Sequence, residues 1–143
     1  MENKFKDFSD LLRENLDSYH GKYDLFIDYS PELFRLLTEI LNDKSIKAPV
    51  RLKISAAMAY FVAPFDIIPE QIYGPYGYVD DIFVCAYVIK DIENELGYSY
   101  LNELWEGEEE LEDVIEECYK QSKDILEEKT KDILGYVGLK EEY

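Results

Sequence analysis

The chain has 143 residues, of which 47% are hydrophobic and 15% aromatic, and its formal net charge is −17. A chain of this length with this much apolar material can bury its own core, which excludes a disordered protein. The negative charge argues against binding to nucleic acid, because phosphate binding depends on lysine and arginine. We therefore expect one domain over residues 1–143 and no nucleic-acid partner.

The two cysteines, Cys85 and Cys118, lie within apolar helical patterns and lack the spacing of a zinc site. We expect both to be buried thiols in a reducing compartment. The N-terminal sequence lacks the apolar run of a signal peptide, and no segment reaches the roughly 18 apolar residues needed to cross a bilayer. These features predict a cytoplasmic protein without a transmembrane segment.

The first third of the chain has helical periodicity. Apolar residues at spacings of three and four predict an amphipathic helix over residues 4–20. Ser30 suits the N-cap of a second helix and Pro31 its first turn. This helix continues to Leu41 with a broad apolar arc, which predicts packing against two neighbours.

A third helix and a fourth flank a segment rich in proline and glycine. Pro49 predicts the start of the third helix, which ends near residue 62. Prolines at 64 and 69 stop it, and Asp80 and Asp81 fall in the first turn of a fourth helix that ends at Gly97. The two helices are expected to form an antiparallel hairpin within an all-α bundle of five to six helices.

The last forty-one residues are acidic and hold fifteen of the 32 acidic residues. Apolar residues at alternating spacings of four and three predict one helix over about residues 108–134, docked on the core with a charged outer face. The pattern runs through Leu111, Ile115, Cys118, Ser122, Ile125 and Lys129. The predicted inward stripe is Leu111, Ile115, Cys118 and Ile125, with Val114 and Leu126 as further candidates.

Eight residues of the predicted hairpin follow one another in a recognisable pattern: Tyr60, Pro64, Asp66, Ile68, Pro69, Gly77, Asp80 and Asp81. This pattern resembles the signature of the YkvA-like domain family of small bacterial and archaeal proteins. The resemblance covers about residues 49–89. It implies a helical hairpin with a polar loop, and it brings no catalytic residue, cofactor or substrate with it.

The acidic residues of this segment allow three interpretations. The favoured one is structural: each carboxylate accepts backbone amides freed by prolines and by the start of the fourth helix. In the second, Asp66, Glu70, Asp80 and Asp81 form an oxygen-rich site for Mg²⁺ or Ca²⁺. Catalysis is the third and is less favoured, because it needs a carboxyl group with a raised pKa beside an ionised one. Tyr60 is expected to pack with its hydroxyl at the surface.

Two functional hypotheses follow, with a third from the family. The first is a non-catalytic interaction module, similar to an antitoxin or an immunity protein, that binds a basic protein partner through Glu109, Glu112 and Glu116. The second is a divalent-cation sensor or metal-dependent enzyme built on the acidic residues of the hairpin loop. A peripheral membrane role is the third, since some YkvA-like relatives lie beside membrane segments.

Overall fold

The computed structural model describes residues 13–14, 25–62 and 78–139, and these residues form a helical bundle. No strand occurs in these ranges, which confirms the predicted all-α fold. The predicted helix over residues 4–20 lies outside the described residues, except for Arg13 and Glu14. The elements are a 3-10 helix η1 (Leu25–Tyr29) and the helices α1 (Ser30–Leu41), α2 (Ala48–Val62), α3 (Val79–Leu104), α4 (Leu111–Leu126) and α5 (Lys129–Tyr136).

Helix α1 begins directly after η1, and Ser30 does not cap it. Tyr29 occupies the N-cap position without a side-chain hydrogen bond, and Pro31 lies in the first turn. The Ser30 hydroxyl instead donates back to the carbonyl of Ile27. The predicted N-cap was wrong because the preceding residues already turn as a 3-10 helix, which gives the serine a backbone acceptor at once.

Helices α2 and α3 form the predicted antiparallel hairpin. Lys53 of α2 forms an ion pair with Asp91 of α3. Farther along, the Tyr60 hydroxyl lies 2.6 Å from a carboxylate oxygen of Asp80. Because the residue number rises along α2 while its partner's number falls along α3, the two helices run in opposite directions.

Helix α3 is the centre of the bundle. All its residues from Val79 to Ile89 are buried, and α1, α2, α4 and α5 all pack on it. Gly97, at φ 80° and ψ 149°, interrupts the helix where the sequence predicted its end. An L side chain rarely adopts this backbone conformation, so the glycine permits the bend before the last helical turns. No helix among the described residues has the length and apolar character needed to cross a membrane.

Both cysteines are buried, as predicted. Cys85 lies on α3 and Cys118 on α4, and the Cys118 thiol is 3.8 Å from the carbonyl oxygen of Phe26. Burial raises the pKa of the Cys85 thiol well above its usual value, with a further contribution from the charge of Asp81. Both side chains therefore act as small apolar groups of the core.

The single helix predicted over residues 108–134 is two helices. Helix α4 ends at Leu126, and Glu127 has φ 54° and ψ −121°, which starts a new direction for α5. The turn places Ile133 and Leu134 of α5 in the core. Ile125 was also assigned wrongly, since it is 42% exposed. A straight helix has 3.6 residues per turn, so a stripe of period 3.5 drifts and Leu126 takes the buried position instead.

Candidate functional site

Two buried aspartates lie at the start of α3, next to the end of α2. Asp80 is 0% and Asp81 1% exposed. One carboxylate oxygen of Asp80 accepts the Tyr60 hydroxyl at 2.6 Å, and the other accepts the backbone amide of Asp81 at 3.1 Å. Tyr60 is itself only 2% exposed, so the expectation of a surface hydroxyl was wrong. Buried carboxylates are rare unless they have hydrogen-bond or ion-pair partners. The bond between Tyr60 and Asp80 provides such a partner and joins the two helices of the hairpin.

The structure brings together only part of the predicted metal site. Asp80 and Asp81 lie in the first turn of α3 as predicted. Tyr78 occupies the N-cap position, and its side chain does not cap the helix. Asp66 and Glu70 lie outside the described residues. Within the described ranges, no group of three or more histidine, cysteine and acidic side chains has the arrangement of a metal site. The four-residue site therefore stays a prediction.

A second candidate site is the acidic surface, which we define as the eight exposed acidic residues of the α3–α4 connection and the first half of α4. No basic residue interrupts residues 106–117. On the opposite side of α4, Leu111, Val114, Ile115 and Cys118 are buried. The acidic surface comprises Glu106, Glu108, Glu109, Glu110, Glu112, Asp113, Glu116 and Glu117.

Helix α4 is fixed to α3 at the edge of this surface. The Lys90 ammonium group of α3 lies 2.5 Å from the carboxylate of Glu116. It also lies 5.0 Å from the centre of the Tyr119 ring, which stacks on Phe83 with ring centres 5.8 Å apart. Glu116 is therefore partly engaged within the chain, whereas the side chains of Glu109 and Glu112 are exposed to solvent.

A cleft of about 380 Å³ borders the acidic surface and holds a guanidinium group. Arg13 donates to the Asp28 carboxylate and carbonyl oxygens, both at 3.0 Å, and to Glu32 at 3.2 Å. Glu108 and Glu109 also line the cleft. Burial raises the pKa of Glu32, although Arg13 opposes this shift. The cleft thus accommodates a basic side chain among carboxylates.

Comparison with known proteins places this chain in a family. Residues 50–87 match the profile of the family described as "Protein of unknown function (DUF1232)". Over 129 residues, the chain is 41% identical to "Uncharacterized protein ORF9" of Methanothermobacter thermautotrophicus, covering 90% of this chain and 88% of that protein. The chain belongs to the DUF1232 family. The match confirms the YkvA-like resemblance, and the DUF1232 segment contains the Tyr60–Asp80 bond. No solved structure matches the chain.

The two candidate sites differ in their relation to the DUF1232 segment. The buried aspartates lie inside residues 50–87, whereas the whole acidic surface lies outside them. The similarity to the archaeal protein extends over most of both chains and is not limited to the DUF1232 segment. The hairpin is therefore the part that this protein shares with the family profile, and the acidic surface is built on the connection and the helix α4 that follow it.

Sequence reasoning missed one polar cluster of this DUF1232 protein. Asp43, in the α1–α2 loop, accepts the Tyr100 hydroxyl at 2.6 Å. It also accepts the amide and hydroxyl of Ser45, at 2.9 and 2.7 Å. These bonds hold the pKa of the Asp43 carboxyl below its usual value, with the Tyr100 bond as the largest cause. The sequence Asp-Lys-Ser indicates a local turn, but nothing in it pairs Asp43 with a tyrosine 57 residues away.

Proposed function

We propose that this protein is a non-catalytic interaction module that binds a basic surface of a protein partner through its acidic surface. The observation that carries the proposal is the exposure of eight acidic residues over residues 106–117 with no intervening base. Like charges at spacings of three and four repel one another on a helix by a few tenths of a kcal/mol per pair. A basic partner relieves this repulsion and is steered to the surface by its field.

The cleft beside the acidic surface supports the same proposal. Its walls combine Asp28 and Glu32 with Glu108 and Glu109, and Arg13 of the same chain already binds to two of them. A guanidinium group is suited to such carboxylates because its planar fork donates to two acceptors at once. We therefore expect this cleft to bind an arginine side chain more tightly than a lysine side chain.

The test compares two charge-reversed variants of equal net charge. Glu109→Lys/Glu112→Lys alters the acidic surface, and Glu128→Lys/Asp132→Lys makes the same charge change at the exposed start of α5. A labelled arginine-rich peptide is the probe, and its affinity is measured by fluorescence anisotropy at low and high salt. We expect the first variant to weaken binding at least about tenfold and the control to weaken it much less.

If both variants lose the same affinity for the peptide, binding depends only on the net charge of the protein. This result would reject a localised binding surface. Affinity capture from host extract then supplies the natural partner. The same two variants must separate in their affinity for that partner, measured by calorimetry. An unchanged affinity of the Glu109→Lys/Glu112→Lys variant would leave solubility as the role of the charge.

A second candidate function is divalent-cation binding at the hairpin. The burial of both Asp80 and Asp81 favours it, because carboxylates withdrawn from water are stabilised by a hard cation. Asp66 and Glu70 are the proposed additional ligands. In a thermal-unfolding experiment, Mg²⁺, Mn²⁺ or Ca²⁺ at micromolar concentration should raise the Tm of the wild type by several degrees. The Asp81→Asn variant should lose the response, and an unchanged wild-type Tm would reject this function.

A further inference from the structure

Helix α2 has an exposed face without charge. Its exposed positions are Ala48, Pro49, Leu52, Ser55 and Ala59, and Leu52 is 71% exposed. One residue in three of the whole chain is charged, so a solvated helix of this protein should carry charges on its outer face. An uncharged face with an exposed leucine is instead typical of a surface that another element covers.

The same helix lies in the most basic part of the chain. Lys44, Lys47, Arg51 and Lys53 fall within residues 44–62, which contain no acidic residue. Arg51 donates to the carbonyl of Asp43 and Lys53 pairs with Asp91, whereas Lys44 and Lys47 are exposed. Helix α2 and the loop before it therefore form a surface with an uncharged centre around Leu52 and basic residues at one end. An acidic surface would complement its charge. The acidic surface on α4 has the complementary charge.

The positions of α2 and α4 in the bundle allow two copies to pair these surfaces. Asp91 of α3 binds Lys53 of α2, and the adjacent Lys90 binds Glu116 of α4, so the two helices lie on either side of one strip of α3. Helix α4 runs antiparallel to α3, because Lys90 pairs with Glu116 and the earlier Phe83 stacks on the later Tyr119. Helix α2 is also antiparallel to α3, so α2 and α4 are parallel. A two-fold axis along this strip places α2 of each copy opposite α4 of the other.

The charges are also at the same level along the bundle. Lys47 lines a cavity of about 590 Å³ together with Glu95, Leu96 and Tyr100, near the bend of α3. Glu109 lies at that end as well, because its carbonyl accepts the indole nitrogen of Trp105 at 2.8 Å. With the axis along α3, the bases before and within the first turns of α2 meet the acidic residues at the start of the partner's α4.

We propose that the basic partner of this protein is a second copy of the same chain, in a two-fold dimer that packs the α2 face of each copy on the acidic surface of the other. This inference rests on the proposed function, since it assigns a partner to the same acidic surface. Leu52 then contacts the partner's α4 and its glutamate stems rather than solvent. The dimer has two identical contacts, each with a basic side and an acidic side.

A charge exchange between two variants tests the pairing. One variant carries Lys44→Glu/Lys47→Glu and the other Glu109→Lys/Glu112→Lys; each alone places like charges together in both contacts. We expect the wild type to be dimeric at physiological salt by sedimentation equilibrium, and each variant to dissociate at least about tenfold more readily. An equimolar mixture of the two variants should dimerise again, because both contacts of the mixed dimer then join opposite charges.

A third variant examines the apolar centre of the face. Leu52→Ser should weaken the dimer while leaving the unfolding transition of the monomer unchanged, since the side chain is exposed in a single copy. If Leu52→Ser lowers the stability of a monomer, this side chain packs within its own chain and the dimer is rejected. A monomeric wild type that binds vesicles of anionic lipid, and loses this binding on the Leu52→Ser substitution, would assign the face to a membrane and also reject the dimer.

The outcomes separate this inference from the proposed function. A monomeric wild type that still binds the arginine-rich peptide through Glu109 and Glu112 overturns the dimer and keeps the interaction module. A dimer that none of the charge variants weakens overturns the pairing of α2 with α4. If the mixed variants do not associate, the pairing of α2 with α4 is also overturned. Only a contact between these two surfaces would recover opposite charges in the mixture.

Discussion

At the scale of single residues, the bond between Tyr60 and Asp80 is a buried polar link between the hairpin helices. Both side chains are almost fully buried, and their 2.6 Å hydrogen bond spans 20 residues of sequence. Tyr60→Phe should lower the free energy of unfolding by about 1 to 3 kcal/mol, because a buried carboxyl group then has one donor fewer. Denaturant titration measures the loss, and Tyr119→Phe, which keeps its stacked ring, is the control.

A double-mutant cycle shows whether the loss belongs to this bond. Asp80→Asn alone and together with Tyr60→Phe completes the cycle. Because the two groups are in contact, their changes in unfolding free energy should differ from additivity by about 0.5 kcal/mol or more. Additive effects would mean that Tyr60 stabilises the hairpin through its ring alone.

The loop residue Asp43 predicts a specific pH dependence. Its folded-state pKa is lowered, first by the Tyr100 hydroxyl, so its contribution to stability is present above the unfolded-state pKa and is lost as the pH falls through the folded-state pKa. Tyr100→Phe should therefore be less stable than the wild type at neutral pH, and the difference should shrink below about pH 4. Denaturant unfolding of both proteins at matched pH values measures it. A difference that is constant with pH would reject the role of the carboxylate.

At the scale of elements, the sequence predicted those helix ends that a proline or glycine determines. Pro49 marked the start of α2 to within one residue, and Gly97 marked the bend of α3. It did not predict the break at Glu127, since neither glycine nor proline is present there. The break follows from packing, because only a change of direction brings Ile133 and Leu134 into the core. Local signals therefore located most helix ends but not the ends that tertiary contacts determine.

The backbone conformations of Glu127 and Gly97 predict that two substitutions, Glu127→Gly and Gly97→Ala, change the free energy of unfolding in opposite directions. Glu127 has a positive φ of 54° with ψ −121°, a conformation that glycine adopts far more readily. Glu127→Gly should raise the free energy of unfolding by about 1 kcal/mol, whereas Gly97→Ala should lower it by a similar amount, although no atom obstructs the added methyl group. Thermal and denaturant unfolding measure both. Destabilisation by Glu127→Gly would show that the carboxylate matters more than the backbone.

At the scale of the whole molecule, long-range pairing lay beyond the sequence. The all-α class, the hairpin and the buried cysteines follow from periodicity and composition. The bonds that assemble the helices join distant residues, such as Arg13 with Asp28 and Lys53 with Asp91. With 32 acidic and 15 basic residues, the sequence allows many different ion pairs. The packing of the helices determines which of these pairs form. The candidate sites divide in the same way: the residue types were predictable, and their partners were not.

The net charge of −17 predicts that salt stabilises the monomer. Repulsion among exposed acidic residues favours the unfolded chain, and its range falls from about 30 Å at 0.01 M to about 8 Å at 0.15 M ionic strength. Raising NaCl over this interval should increase the free energy of unfolding by about 1 kcal/mol, which corresponds to a Tm shift of about 2 to 8 °C. Thermal unfolding at low protein concentration keeps association from contributing.

The Glu109→Lys/Glu112→Lys variant provides the comparison, because its net charge is −13 and the change falls where the acidic residues are densest. Its Tm should exceed that of the wild type at low salt and converge on it as salt screens the repulsion, apart from the small cost of lysine near the start of α4. The control variant Glu128→Lys/Asp132→Lys has the same net charge. A smaller gain in the control would locate the repulsion in the acidic surface, whereas equal gains would assign it to the overall charge, and a wild type indifferent to salt would contradict both.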